Sequence, residues 1–265
     1  MNNILDEICQ NKLEELKLKK AETPLNEILQ KVNKITENSG FVKSLEGKIK
    51  QGIPAIIAEV KKKSPSKGII REDFDPNQIA REYCDNGAAC ISVLTDEKYF
   101  AGSDKYLKQI KKQNNIPLLR KDFILDEYQI YESKLLGADC VLLILSALEL
   151  EQAKQLEETA IGLGMDVLIE VHDRDELQKA LTMKSKLIGI NNRNLKNMKV
   201  DINNSANMVK EIPDNYIKIC ESGIATANDI ENMLKAGFNS FLIGETFMRQ
   251  DNIGAIVKEF ASVKI

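Results

Sequence analysis

The sequence predicts an α/β protein built as a (β/α)8 TIM barrel, preceded by an N-terminal helical extension. Three observations carry that prediction. Eight short runs rich in Ile, Val and Leu recur between residues 54 and 245. They alternate with amphipathic segments that bear helix start and stop signals. Three of those segments end on a glycine just ahead of the next run (NGAA, LGAD and AGFN), which makes a repeating strand–helix unit.

The eight runs are PAIIAEV (54–60), ACISVLT (89–95), IPLLRKD (116–122), ADCVLLIL (138–145), MDVLIEV (165–171), KLIGINN (186–192), YIKICESG (216–223) and NSFLIGE (239–245). Most do not alternate apolar with polar residues, as expected of strands buried on both faces of a parallel sheet. Among the intervening segments, Asp75-Pro76 opens one that ends near Asn86-Gly87, and Ser103 precedes YLKQIKKQ. Asp126 begins DEYQIYESKLLG, stopped by Gly137, and Thr226 caps ANDIENMLKAG, stopped by Gly237. Such side chains satisfy the free N–H groups of a first helical turn. An open doubly wound sheet would be favoured by G-x-G-x-x-G after the first strand, and none is present. Residues 1–50 read as helical, LDEICQNKLEELKLKK and then PLNEILQKV after Pro24. They are expected to form a lid or flank, with their Leu and Ile residues in packing roles, and residues 51–265 to form the catalytic barrel.

Apolar residues at 43% and charged residues at 29% describe a globular chain with ample core. The net charge is −3 with lysines spread along the chain, so no basic face argues for nucleic acid. The five cysteines are odd in number, lack a C-x-x-C pair and include several within apolar runs. That usage predicts reduced thiols and a cytoplasmic protein. The amino terminus lacks the apolar core of a signal peptide, and no run approaches membrane-spanning length, so no membrane partner is expected.

Catalytic side chains of such a barrel belong at the carboxyl ends of its strands and in the loops that follow. Those positions hold Glu59 and Lys61, with Ser64 and Ser66 in the next loop; Thr95 and Asp96; Lys121 and Asp122; Glu170; Asn191 and Arg193; Glu221 and Ser222; and Gly244 and Glu245. The fourth strand stays apolar from Leu142 to Leu145. Glu59 and Lys61, two apart, face one side of their strand. If Lys121 also faces inward, two amines and two carboxylates (Glu59 and Glu170) converge, a group able to run acid–base chemistry near neutral pH. Rim salt bridges are the alternative reading of any one of these residues. Glycines after the seventh and eighth strands (Ser222-Gly223 and Gly244-Glu245) let backbone N–H groups approach an anion, with Ser64 across the mouth. The phosphorylated small-molecule substrate this suggests also accounts for the lysine cluster after the first strand.

Other residues receive plainer readings. His172, the sole histidine, is expected to point away from the barrel interior in a structural role, and it excludes a multi-histidine metal site. Lys62 and Lys63 read as rim charges. Tyr99-Phe100 either closes over an apolar ligand or packs on the barrel.

The motifs AEVKKKSPSKG (58–68), ISVLTDEKYFAGS (91–103), LLRKDFILDEYQI (118–130), LIEVHD (168–173), IGINNRNL (188–195), ESGI (221–224) and LIGETFM (242–248) resemble, in order, those of the indole-3-glycerol phosphate synthase family. The resemblance spans the barrel and extends to the helical segment before it. It implies ring closure, decarboxylation and dehydration of 1-(2-carboxyphenylamino)-1-deoxyribulose 5-phosphate, in tryptophan biosynthesis, with no cofactor and no metal. It makes Lys121 the general acid, Glu170 the base of dehydration, Lys61 a second acid or electrostatic partner, and Glu59 the group that orients the lysines. Asn191 and Ser222 join this catalytic set, and Asn191 and Arg193 match residues near the substrate's carboxylate and hydroxyls. Phe100, Phe123, Leu142, Leu195 and Leu242 would enclose the anthranilate ring. Ser64, Ser222, Gly223, Gly244 and Glu245 would hold the phosphate, the last through its backbone N–H, since many relatives carry serine there and a carboxylate must turn away from the anion. The resemblance further implies a monomer, and leaves open association with other tryptophan-pathway enzymes. Phosphoribosylanthranilate isomerase, a Schiff-base aldolase using Lys121 and a non-catalytic phosphosugar-binding barrel stand as alternatives.

Overall fold

Eight parallel strands close into a barrel in the computed structural model, which describes residues 4–35, 40–194 and 200–264. They are β1 (Ala55–Val60), β2 (Cys90–Leu94), β3 (Leu118–Lys121), β4 (Cys140–Ile144), β5 (Asp166–Val171), β6 (Leu187–Asn191), β7 (Ile217–Glu221) and β8 (Ser240–Ile243). Each pairs with its neighbours in sequence, and β1 closes the ring by pairing with both β2 and β8. All eight apolar runs are therefore barrel strands, and the α/β barrel with an N-terminal helical segment is as the sequence predicts.

Among the described residues, three helices precede the barrel: α1 (Ile4–Glu22), α2 (Leu25–Val32) and α3 (Phe41–Ile49). The helices that follow are α4 (Pro76–Asp85), α5 (Glu97–Phe100), α6 (Asp104–Gln113), α7 (Glu127–Leu136), α8 (Leu150–Gly162), α9 (Arg174–Ala180), α10 (Ile202–Met208), α11 (Ala227–Ala236), α12 (Glu245–Met248) and α13 (Ile253–Ala261). The sequence signals act as read. Asp75, Ser103, Asp126 and Thr226 each accept a backbone N–H of the helix they start, and Thr226 with Asp229 forms a reciprocal capping box. Gly137 and Gly237 end α7 and α11 in the left-handed conformation that glycine adopts without a Cβ penalty.

The core has two layers. Alternate residues of each strand point inward, so Ala55, Ile57, Leu119, Leu142, Leu168, Leu187, Ile219 and Leu242 fill the barrel. The other strand faces pack against the surrounding helices. Helix α3, which the sequence reading did not separate from the rest of the extension, seals the amino-terminal end. Its Phe41 and Leu45 are fully buried in the interior cluster. The backbone N–H of Val42 donates to Asp166 at the start of β5 (3.0 Å), and Ser44 Oγ donates to the carbonyl of Ala89 (2.6 Å).

Helix α1 crosses the opposite end and is fixed there by buried charge. Lys12 Nζ lies 3.1 Å from Asp96 and 3.0 Å from Asp122, the acids that follow β2 and β3. Lys19 bridges Asp104 and Glu132 (2.9 and 2.7 Å). Those two acids and Asp122 also neutralise Arg120, whose side chain is fully buried on the outer face of β3. A buried guanidinium without such partners would be prohibitively unstable. Burial works against the charge of Asp122, but Lys12 and Arg120 outweigh it and hold its pKa at about 2.

Replacing Lys12 by Met leaves Asp96 buried without its cation, and should lower stability in urea unfolding by about 3–5 kcal/mol. The depressed pKa of Asp122 also sets a pH window. Its contribution is full above about pH 4, the unfolded carboxylate value, and is lost as pH falls toward 2. Lys12→Met should flatten the stability–pH curve in that window. A variant as stable as the parent, with the same acid limb, would show that this ion cluster does not anchor α1.

Candidate active site

At the carboxyl ends of the strands the inward positions change from apolar to charged. They line a cleft of about 830 Å³. Register makes this arrangement compulsory. Glu59, Lys121, Glu170, Asn191 and Glu221 all continue the inward-facing series of their strands, and neighbouring strands bring them together: Ile144 pairs with Glu170, and Asn191 with Glu221. Glu59, Glu170 and Glu221 are buried, whereas Lys61 and Lys121 remain partly exposed to the cleft.

Lys61 Nζ donates to Glu59, and Lys121 Nζ stands 3.5 Å from Glu170 Oε2. On the other carboxylate oxygen, Asn191 Nδ2 donates to Glu170 Oε1 (3.1 Å). Asn191 is itself held: its Oδ1 accepts from the backbone N–H of Arg193 (3.0 Å) and from Ser222 Oγ (2.9 Å). Ser222 takes a left-handed backbone conformation (φ 65°), unusual outside glycine. Asn192 steadies that turn by donating from its side-chain amide to the carbonyls of Glu221 and Ser222 (3.0 and 2.9 Å).

The three carboxyls are not shifted in the same direction. Burial favours the neutral form of each. For Glu59, Lys61 and then Lys121 outweigh burial and draw the pKa down. For Glu170, Lys121, the His172 imidazole and Asn191 do the same. Glu221 has no such surplus of cations: burial and the nearby charge of Glu170 push its pKa well up, against the weaker pull of Lys121. Two neighbouring carboxyls are thus pushed in opposite directions, Glu221 toward its neutral form and Glu170 toward its anion. Burial would discharge Lys121, but Glu170, Glu221 and Glu59 raise its pKa above the usual lysine range, so it stays an ammonium.

Around this charge, Phe100, Phe123, Leu142, Ile144 and Leu242 supply apolar walls, with the two phenylalanine rings 6.1 Å apart between centroids. Tyr99 turns out of the cleft and donates from its hydroxyl to Glu7 of α1 (2.9 Å), so the Tyr99-Phe100 pair divides between the two roles weighed for it. On the far side lie Ser64, Ser66, Ser222, Gly223, Gly244 and Glu245. Ser64 Oγ is buried without a hydrogen-bond partner. Glu245 opens the short helix α12, and its carboxylate turns to Arg249 (3.1 Å) and Arg193 (3.8 Å). Lys62 and Lys63 stay at the rim: Lys62 over the ring of Phe74, and Lys63 on the carbonyl of Lys98. Leu195 lies outside the described residues.

His172 departs from expectation. It sits two residues past Glu170 rather than on the opposite face, and its Nε2 is 3.2 Å from Glu170 Oε1. Glu221, noted at its strand end, was not grouped with the site, although strand alternation from Ile219 places it inward. The sequence also gave no sign that Ile4, Leu5 and Ile8 of α1 roof the cleft, because nothing local to α1 encodes its docking. Gly189 was likewise missed, and Gly244, read as a phosphate-binding glycine, has a further part. A Cβ on Gly189 would run into Glu221 Oε1, and one on Gly244 into Glu59 Oε2, so both seat carboxylates. Among the described residues, no cluster of His, Cys, Asp and Glu could hold a metal ion, and no helix is long and apolar enough to cross a membrane.

A closed parallel barrel with a polar cleft at the carboxyl ends of its strands defines the class, a (β/α)8-barrel enzyme. The model of the indole-3-glycerol phosphate synthase family matches residues 5–260, and the chain belongs to that family. Proteins of that name from Albidiferax ferrireducens and Azospirillum brasilense are 48% and 43% identical over 259 and 258 residues, 98% and 97% of this chain and 98% of each relative. Solved structures more distant in sequence share the fold. A thiamine phosphate pyrophosphorylase from Pyrococcus furiosus aligns with a TM-score of 0.57 at 14% identity, over 79% of this chain and 94% of its own. A 3-hexulose-6-phosphate synthase aligns with a TM-score of 0.64 at 12% identity, over 80% of this chain and all of its own.

Gly189→Ala should cost about 1–3 kcal/mol in urea unfolding, the typical penalty of overpacking. The added methyl must displace the buried Glu221 carboxylate. An unchanged midpoint would mean that Glu221 relaxes freely and is not seated by this glycine.

Proposed function

We propose that this barrel carries out the carboxy-lyase reaction of its family, converting 1-(2-carboxyphenylamino)-1-deoxyribulose 5-phosphate to indole-3-glycerol phosphate, CO2 and water. The observation that carries the residue assignment is the facing of Lys121 and Glu170, an ammonium and a carboxylate 3.5 Å apart in an apolar-walled cleft. In the first step the arene carbon that bears the carboxylate attacks the ketone. The carbonyl oxygen gains charge as the C–C bond forms, and Lys121 donates its proton there. Loss of CO2 restores the aromatic ring. Dehydration then removes a proton from the methylene beside nitrogen and expels the new hydroxyl as water. Glu170 takes that proton, and Lys61, held by Glu59, assists departure of the hydroxyl. General acid–base groups of this kind typically contribute 10²–10⁴-fold.

The remaining roles follow the lining of the cleft. Phe100, Phe123, Leu142 and Leu242 take the aromatic ring; Leu195 is assigned there by resemblance alone. Asn191 and Arg193 take the carboxylate and hydroxyls. Ser64, Ser222, Gly223, Gly244 and the backbone of Glu245 take the phosphate, and the free hydroxyl of Ser64 supports this end. Arg193 and Arg249 draw the Glu245 carboxylate aside, which removes the repulsion an acidic residue there would otherwise create. Residues 1–50 serve as an extension over the catalytic barrel of residues 51–265. The chain acts as a cytoplasmic monomer without cofactor or metal, and its five free cysteines suit a reducing compartment.

With the purified protein and this substrate, indole fluorescence should rise without added cofactor. Lys121→Ala and Glu170→Gln should each lower kcat by about 10²–10⁴-fold with the circular dichroism unchanged. Near-normal turnover in both variants would defeat the assignment. Borohydride trapping of a Lys121–substrate adduct would favour the aldolase alternative instead.

A further inference from the structure

The Glu170 carboxylate is addressed differently at its two oxygens. Oε2 faces Lys121 and has no close hydrogen bond, while Oε1 is approached by Asn191 Nδ2 at 3.1 Å and His172 Nε2 at 3.2 Å. The other nitrogen of His172 is occupied in turn. Nδ1 lies 3.2 Å from Glu176 Oε2, on the first turns of α9, and 3.3 Å from Ser146 Oγ, just after β4. Glu176 is fixed independently, because the same oxygen accepts the backbone N–H of His172 at 2.7 Å.

We propose that His172, braced from behind by Glu176, is a positioning residue that holds Oε1 of Glu170 and so leaves Oε2 as the oxygen that accepts the proton. This inference rests on the reading of Glu170 as the base. Geometry carries it. A carboxylate beside a flexible lysine would rotate to close a tight ion pair, and the Asn191 hydrogen bond together with the His172 ion-pair contact on the opposite oxygen opposes that rotation. Both imidazole nitrogens face carboxylates, and a neutral ring has only one N–H to offer. The doubly protonated ring alone donates to Glu176 from Nδ1 and also sets a positive charge at Nε2 beside Glu170. Burial opposes that charge, yet Glu170 and Glu176 outweigh it and raise the pKa to about 10. The facing groups are Glu170 on β5, Glu176 on α9 and Ser146 after β4, with Lys121 and Asn191 beyond Glu170.

The chain has a single histidine, so its ring is the sole source of imidazole signals in a 15N-labelled sample. At pH 7 both ring nitrogens should carry protons, and Glu176→Gln and Glu170→Gln should each lower the titration midpoint. A neutral ring, with Ser146 donating to Nδ1, would overturn the proposal without any variant being made. In kinetics, His172→Gln should lower kcat by about 10- to 100-fold, the range a misplaced catalytic group costs, with a smaller change in KM. The acid limb of its kcat–pH profile should move to higher pH, because Glu170 loses a neighbouring cation. A fall in kcat with the acid limb unmoved would assign His172 a merely structural role and overturn the proposal. An acid limb that survives Glu170→Gln would instead defeat the reading of Glu170 as the base, while the NMR midpoints still decide whether His172 holds that carboxylate.

Discussion

Three carboxyl groups and two amines share the cleft at the carboxyl end of the barrel, the carboxyls buried, and their mutual compensation constrains everything around them. Desolvation would neutralise each group alone. Together they hold Glu59 and Glu170 toward their anions and Lys121 toward its ammonium, while Glu221, the carboxyl with the least compensation, is pushed toward its neutral form. The barrel supplies this cheaply. Inward positions that are Ala55 and Ile57 at the base of β1 become Glu59 at its end, and the same change recurs on β3, β5 and β7. Glycines occupy the positions where a carboxylate needs space: Gly189 below Glu221 and Gly244 beside Glu59.

The rest of the molecule partly roofs that end and keeps its parts in register. A second set of buried charges, centred on Arg120, Asp122 and Lys12, lies one residue out of phase with the first. Arg120 and Lys121 are adjacent, so one points to the helices and the other into the cleft. Fixing Arg120 through Asp104, Glu132 and Ser133 therefore also fixes the strand that presents Lys121. Through Lys12 and Lys19 the same network docks α1, whose Ile4, Leu5 and Ile8 then shield the cleft. Shielding strengthens the electrostatic interactions within.

The barrel was legible in the sequence because its strands are apolar on both faces and its helices carry explicit caps at Asp75, Ser103, Asp126 and Thr226. The site was legible where function leaves a charge at the end of an apolar run, as at Glu59, Lys121 and Glu170. It was illegible where the information is pairwise. Gly189 has meaning only because Glu221 lies on the next strand, and His172 only because Glu176 turns back from α9 to meet it. Helix α1 reads as amphipathic wherever it docks; its address is written in Asp96 and Asp122, roughly a third of the chain away. Sequence order shows none of these juxtapositions, and closure of the barrel creates all of them.

The proposed roles divide the labour within one charge cluster, with lysine protons serving ring closure and the Glu170 carboxylate serving dehydration. A single-turnover experiment on Glu170→Gln, following CO2 release and indole fluorescence in the same sample, separates those steps. CO2 should be released from the substrate while indole formation stalls. Indole appearing in step with CO2 at the parent rate would contradict it.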